Sequence, residues 1–396
     1  MKKRILFVIN SLTIGGSEKS LVSLLNTIDY SKYDVDLMMF KVGEEFDIYI
    51  PKEVNVLDIP NYYKFLSNKN FDLNLTNKIK FLITRLKTSI NLRINSFKKN
   101  YINTEQILYK SQHKILSKLD EKYDVAIAYS QGFPTYFVAD KVNANKKIAW
   151  INCDYATTKY DKDIDEKFYN KFDKIVAVSE TIRKSIINIK PQYKDKIEVI
   201  LDIVNPKLIE MMACEKNVFK DKSCINILTV ARLVIHHKGY DTAVKAANIL
   251  KNNKYNFKWY VIGDGEDREN LEKLIEKYKI EDCFILLGKK ENPYPYMKNC
   301  DIYVQPSKRE GFGLTVVEAK ILNKAIVCTN FNTAKELINE NEDGIIVNHN
   351  EEDLYRGIKK YLDNSKLKRK IEDALKNSQS YDSTSQIEKI YTLLEH

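Results

Sequence analysis

Short apolar runs rich in β-branched residues recur along the chain, with segments of helical period between them. In the first half they are Ile5–Ile9, Val35–Phe40, Val54–Ile59, Val125–Tyr129, Lys147–Ile151, Ile175–Ser179 and Ile197–Leu201. In the second half they are Ile225–Val230, Trp259–Gly263, Phe284–Gly288, Ile302–Gln305, Ala325–Cys328 and Ile345–Val347. Strands that are apolar at nearly every position are covered on both faces, as in a parallel sheet. Between the runs, Leu21, Leu24, Leu25 and Ile28 share one helical face, as do Ala243, Ala246, Ala247 and Leu250, and again Leu271, Leu274, Ile275 and Tyr278. Asp241 reads as the N-cap of the second of these helices. Alternation of strand and helix in both halves predicts an α/β chain of two doubly wound, Rossmann-like domains. The stretch 202–222 lacks a strand pattern and marks the boundary, and a last amphipathic helix uses Ile387, Ile390, Tyr391 and Leu394.

Size and composition agree with this picture. A chain of 396 residues exceeds one ordinary core, and 44% apolar with 30% charged residues excludes disordered and collagen-like classes. The apolar start, Ile5–Ile9, is too short for a secretory leader or a membrane span. Six cysteines are scattered without a Cys-x-x-Cys pair, which points to a reducing, cytoplasmic setting and away from zinc.

Charge changes the picture in one place. Between residues 61 and 119 there are twelve Lys/Arg and two acids, Asp72 and Glu105, so this segment carries the whole net charge of +10. A local patch of this kind suits an anionic partner at one face, not a nucleic-acid-binding chain. Within it, across Asn77–Lys99, Ile79, Leu82, Ile83, Leu86, Ile90 and Phe97 follow helical spacing with cations beside them. Two readings stand: an interfacial helix on anionic lipid, or a helix whose apolar side faces the core and whose basic side is solvated.

Four motifs carry candidate chemistry. Gly15-Gly16-Ser17-Glu18 follows the first strand and opens the first helix, where backbone N–H groups meet an anion or simply make a tight turn. Arg232 and Lys238 follow the strand Ile225–Val230, at the sheet end where such folds bind ligands; they either stabilise a departing diphosphate or are solvated surface cations. Gly263-Asp-Gly265 begins like a dinucleotide fingerprint but has Arg268 at its last position, so a turn into the helix of Leu271 explains it equally. The fourth is Glu310-Gly311-Phe312-Gly313-Leu314-Thr315-Val-Val-Glu318, a glycine loop running from a strand into a helix with a carboxylate on either side. Such a cradle suits a ligand with a diphosphate between two hydroxyl-bearing ends, a nucleotide sugar.

Taken in order, these motifs resemble family 4 of the glycosyltransferases, which are retaining enzymes with the GT-B fold. The resemblance includes the Gly-Gly-Ser-Glu turn, Lys147-Ile-Ala-Trp-Ile-Asn-Cys-Asp-Tyr155, Ile175-Val-Ala-Val-Ser179, the Arg232–Lys238 loop, Gly263-Asp-Gly265 and the Glu310–Glu318 element. It implies that Arg232 and Lys238 hold the donor diphosphate, that Glu310 contacts the transferred sugar and that Glu318 binds ribose hydroxyls. It also implies donor or acceptor contacts for Gly15, Gly16, Asp154, Gly263, Gly311, Phe312 and the main chain of Gly313, Leu314 and Thr315. Many relatives carry His where this chain has Asn152, which can hydrogen-bond a sugar hydroxyl but cannot take a proton. The implied layout is an acceptor domain over 1–205 with the basic segment 61–119, a nucleotide-sugar domain over 206–375, and a helix over 376–396 crossing back to the first.

The expected reaction moves a sugar from a nucleotide diphosphate, a uridine diphosphate sugar foremost, to a glycan or lipid-linked acceptor in surface polysaccharide synthesis. Neither metal nor other cofactor is expected, because Asp34-Val-Asp36 and Asp161-Lys-Asp163 read as incidental matches to a metal-binding Asp-x-Asp. The expected location is the cytoplasm, at the inner face of the plasma membrane if the basic segment meets lipid. A catalytically weak binding or scaffold relative, and another GT-B enzyme such as an epimerase, remain as alternatives.

Overall fold

The computed structural model describes all residues except 1, 14, 69–70, 99–100, 215–217, 220–222, 378–382 and 396. It divides into two compact units, Met1–Ile203 with Thr384–His396, and Val204–Ser383. The divisions fall at 203/204 and 383/384, where the sequence pattern places them at 205/206 and 375/376.

In the first unit the described strands are β1 (Lys3–Ile9), β2 (Tyr33–Met39), β3 (Asn55–Val56), β4 (Lys122–Ala128), β5 (Asn143–Ile151), β6 (Lys174–Ala177) and β7 (Ile197–Val199). They form one parallel sheet in the order β3-β2-β1-β4-β5-β6-β7. Ile5 sits beside Val35 on one side and Val125 on the other, and all three are buried. That double coverage is why β1 is a run of apolar residues and not an alternation. The helix Thr384–Glu395 belongs to this unit: Ile390, Leu393 and Leu394 are buried, Tyr391 stacks on Tyr33 at 5.7 Å, and Lys146 Nζ donates to the Leu393 carbonyl at 2.7 Å.

The second unit repeats the plan with β8 (Ile225–Val230), β9 (Phe257–Ile262), β10 (Phe284–Gly288), β11 (Ile302–Gln305), β12 (Ala325–Thr329) and β13 (Ile345–Val347). Their parallel order is β10-β9-β8-β11-β12-β13. Ile227, Val261, Val304 and Val327 build its core with Ala243, Ala247 and Leu250 of the helix Tyr240–Asn252. In both units the order reverses beside the first strand, the arrangement that opens a ligand crevice at the carboxyl ends of the strands.

Three local expectations change. β3 is two residues long, not a run from Val54 to Ile59. The stretch 202–222 has no described strand, as its sequence predicts, and contains a helix, Pro206–Met212, seeded by proline at its start and by the Asn205 side chain accepting from Leu208 N at 3.1 Å. Asp241 does not cap Tyr240–Asn252: the cap is Gly239, and Asp241 pairs with Lys308 at 2.8 Å. The basic segment contains the helix Leu75–Ser96, whose buried side chains are Phe81, Thr84, Thr88 and Asn95. Its apolar stripe faces outward, so the core-facing reading fails. Lys69 and Lys99 of that segment lie outside the described residues.

Candidate active site

The crevice of the second unit lies between the ends of β8 and β11. The turn Ala231-Arg232-Leu233 is fixed by backbone bonds, Leu233 N to the Asp264 carbonyl at 3.0 Å and Asp267 N to the Leu233 carbonyl at 3.2 Å. A Cβ on Gly263 would lie 2.0 Å from the Ala231 oxygen, and one on Gly265 would lie 2.4 Å from the Leu233 oxygen. The Gly-Asp-Gly segment is therefore the seat of the Arg232 turn, and Gly263 is needed for that close approach. Arg232 itself is exposed, and its guanidinium makes no hydrogen bond or ion pair among the described residues.

Lys238 ends a short helix, Ile235–Lys238, where the sequence suggested a loop. Gly239 follows at φ 68°, and a Cβ there would sit 1.9 Å from the Pro306 oxygen. This contact brings the Lys238 turn against the end of β11. Lys238 Nζ lies 2.7 Å from both Glu310 carboxylate oxygens. Glu310 Oε1 also accepts from Ser307 Oγ at 2.6 Å and Gln305 Nε2 at 3.0 Å. Gln305 is fully buried, and its Oε1 accepts from Tyr303 Oη at 2.7 Å and Thr315 Oγ1 at 3.1 Å. The Glu310 main chain is clamped by Asn332, which accepts from its N–H at 2.9 Å and donates to its carbonyl at 2.7 Å. Glu310 is thus held in one orientation by charge and by neutral donors together.

Gly311, Phe312 and Gly313 carry the chain from Glu310 into the helix Leu314–Ile321. Phe312 is buried and its carbonyl accepts from Thr333 Oγ1 at 2.7 Å, so its ring is a packing element. Gly313 takes φ 103°, which side chains rarely adopt, and a Cβ there would meet Leu337 at 2.7 Å. Val316 and Val317 donate back to the Gly313 carbonyl, so Leu314 and Thr315 contribute the N–H groups that have no carbonyl inside the helix. Glu318 is 1% exposed and accepts from Tyr294 Oη at 2.9 Å.

The first unit has its own crevice, between the ends of β1 and β4. Gly15 caps the helix Gly16–Leu25 in an extended conformation, and Ser17 Oγ donates to Glu18 at 2.8 Å. Ser20 Oγ meets Tyr129 Oη at 2.9 Å and accepts from Ile203 N at 3.0 Å. Asp202 is buried beside Ser20; burial pushes its carboxyl up to about 7, with Glu18 adding to the rise and the Ser20 hydrogen bond opposing it. Asn152 Nδ2 donates to the Tyr129 carbonyl at 2.9 Å, while its Oδ1 is buried and makes no hydrogen bond among the described residues. Asp154 is engaged locally, accepting from Ser185 Oγ at 2.5 Å and Ala156 N at 3.1 Å.

Sequence reasoning missed two groups in this crevice. Gln131 Oε1 accepts from Asn152 N at 3.3 Å, Cys153 N at 3.2 Å and Cys153 Sγ at 2.8 Å, while its buried Nε2 makes no hydrogen bond among the described residues. Glu105 accepts from Asn10 Nδ2 at 3.0 Å and from Phe133 N at 2.8 Å, at the start of the helix Phe133–Lys141. Burial raises its pKa against those hydrogen bonds. The available signal was that Glu105 is one of two acids in a segment with twelve cations. In the Asp-x-Asp matches, Asp36 accepts from Tyr123 at 2.8 Å and Asn55 at 2.8 Å, and Asp161 caps the helix Lys162–Tyr169.

Residues 208–378 match the family model of the glycosyl transferases group 1. A similar curated protein is the N-acetylgalactosamine-N,N'-diacetylbacillosaminyl-diphospho-undecaprenol 4-alpha-N-acetylgalactosaminyltransferase of Campylobacter jejuni, 29% identical over 52% of this chain and 56% of that one. The match therefore spans little more than half of that relative. An uncharacterized glycosyltransferase of Haemophilus influenzae is 24% identical over 94% of both chains. Among solved structures, Anabaena HepE in complex with UDP-glucose superposes with a TM-score of 0.70 at 16% identity, covering 99% of both chains. The fold class is that of the GT-B proteins.

Proposed function

We propose, from the match of residues 208–378 to the family model of the glycosyl transferases group 1, that the protein is a glycosyltransferase using a nucleoside diphosphate sugar as donor. The observation that carries the proposal is the Lys238–Glu310 pair, 2.7 Å apart and braced by Gln305 and Ser307 at the switch point of the second sheet. Glu310 is oriented to receive sugar hydroxyls. Lys238, the exposed Arg232 and the N–H groups of Leu314 and Thr315 supply positive potential where a diphosphate departs. In the proposed step the acceptor hydroxyl oxygen bonds to the anomeric carbon on the face from which the diphosphate oxygen leaves, so configuration is retained. The hydroxyl proton passes to the leaving phosphate. These cationic and N–H groups serve without a metal ion, and loss of activity in a chelator would overturn that part.

A uridine diphosphate sugar is the donor we place first. A lipid-linked glycan of surface polysaccharide synthesis is the acceptor, by analogy with the diphospho-undecaprenol named for the Campylobacter relative. In the first unit, the unsatisfied Asn152 Oδ1 and Gln131 Nε2 offer an acceptor and a donor to hydroxyls. The test is thermal unfolding against uridine, guanosine, adenosine and thymidine diphosphate sugars. Ligand at about 100 times its dissociation constant adds roughly 2.7 kcal/mol of apparent stability. One nucleotide class is expected to shift the transition, and Glu318→Ala to abolish the shift. No shift with any donor, in folded protein, would defeat the proposal.

A further inference from the structure

The helix Leu75–Ser96 is built the wrong way round for a helix that covers a core. Its buried side chains are Phe81, Thr84, Thr88 and Asn95. Phe81 packs on Tyr62 with ring centres 5.3 Å apart, and the Thr88 and Asn95 side chains are satisfied locally. Thr88 Oγ1 donates to the Thr84 carbonyl at 2.7 Å, and Asn95 bonds both the carbonyl and the N–H of Ile102, at 2.8 and 3.1 Å. The apolar residues lie on the other side. Leu75, Ile79, Leu82, Ile83, Leu86, Ile90, Ile94 and the capping Phe97 are all exposed, Leu75 at 73%, Leu86 at 64% and Phe97 at 85%.

At about 100° per residue, these eight fall within an arc of roughly 120°, facing away from the buried side. At about 1.5 Å per residue the stripe runs the whole helix, roughly 33 Å, which is far from a scatter of single exposed residues. The borders are cationic. Lys80 and Lys87 lie along one edge and Lys78 and Arg85 along the other, while Arg93 falls within the arc near its far end; all five are exposed. The helix contains no carboxylate.

We propose that the Leu75–Ser96 helix lies in the plane of an anionic lipid surface, its apolar stripe sunk among the acyl chains and its two cationic borders at the phosphates. Charge selects this occupant. A second copy would set five cations against five, whereas anionic headgroups neutralise both borders while the apolar side chains leave water. The long Lys and Arg stems reach the headgroup level from the stripe's edges. No described helix is long and apolar enough to cross a membrane, so the contact is lateral. The proposal goes beyond the sugar-transfer reading and does not depend on it; it would hold the first unit where a lipid-linked substrate is presented.

The test is flotation of the full chain with vesicles of phosphatidylcholine, alone or mixed with phosphatidylglycerol. The protein is expected to float with the anionic vesicles at low salt and to be released by high salt. The pair Ile83→Glu and Leu86→Glu is expected to weaken partition at least about tenfold, with an unchanged unfolding temperature because both side chains are exposed. Lys80→Ser and Lys87→Ser are expected to weaken it roughly fivefold each and to flatten the salt dependence. Leu86→Trp is expected to show a blue-shifted emission with anionic vesicles only. Failure of the folded parent to float, or full partition by the glutamate pair, would overturn the proposal. So would a dimer in solution that the glutamate pair dissolves and that does not float. Nucleotide-dependent thermal shifts on the same preparation, without vesicles, report separately on the donor reading.

Discussion

The two units share one sheet topology, yet their crevices are finished differently. In the second, polar groups close on each other: Lys238 on Glu310, Gln305 on Tyr303, Thr315, Ser307 and Glu310, and Tyr294 on Glu318. In the first, Gln131 Nε2 and Asn152 Oδ1 are buried without hydrogen bonds among the described residues. A buried polar group left unmade costs about 1–3 kcal/mol. A closed network holds its geometry before any ligand arrives, as charge stabilisation requires. An open one keeps hydrogen-bonding capacity for a partner. The difference fits a donor side that is preorganised and an acceptor side that is completed by what it binds.

The sharpest way to break that comparison is Lys238→Ala. Glu310 keeps Ser307 and Gln305 as donors, so folding stability is expected to fall by only about 1–2 kcal/mol. Turnover should fall far more, by about 10²–10³ in kcat, because in the proposed reaction the lost charge acts where the diphosphate departs. Arg232→Ala, at an exposed site, should lower turnover with no change in stability. Steady-state kinetics and thermal unfolding on both variants read the two effects apart. Equal loss of stability and turnover in Lys238→Ala would mean that the pair is structural only.

Much of this was legible in the chain. Apart from β3, whose two residues are exposed, the described strands are located by their apolar runs, because parallel strands buried on both faces leave little room for polar residues. The Glu310–Glu318 loop is legible because Gly313, at φ 103°, reports a backbone need on its own. Other features are set by partners distant in sequence. Gly239 shows its reason only against Pro306, and Gly263 only against Ala231. The outward stripe of Leu75–Ser96 was ambiguous because periodicity gives a face and not its direction; Thr84 and Thr88 settle the direction only once their burial is known. Gln131 has no motif, since its role comes from three donors on β5's exit.

The next test turns on Asp202, where the first unit buries a carboxyl beside Ser20. Its ordinary value is 3.8 and burial raises it to about 7. A raised value in the fold means that the native state holds the proton more tightly than the unfolded chain. The stabilising contribution is therefore complete below about pH 4 and is lost as pH rises to about 7. Asp202→Asn removes the titration, so above pH 7 the variant should exceed the parent by about 2–4 kcal/mol, and the gap should close toward pH 4. Denaturant unfolding at a series of pH values measures it. A gap independent of pH would show that the fold does not raise the Asp202 pKa above that of the unfolded chain.

Only a small effect on folding is expected at Gln131, yet it bears most directly on the comparison. Gln131→Met removes an oxygen that accepts three hydrogen bonds, two of them long at 3.2 and 3.3 Å, and also removes the unsatisfied Nε2. Loss and relief oppose each other, so stability should change by no more than about 1 kcal/mol. The nucleotide-induced thermal shift should be untouched, since the groups proposed to hold the donor belong to the other unit. The KM for acceptor should rise by about tenfold, the size of one hydrogen bond to a hydroxyl, with kcat nearly kept. A large fall in stability would make the first crevice a closed network like the second. A lost nucleotide shift would put the donor, and not the acceptor, beside Gln131.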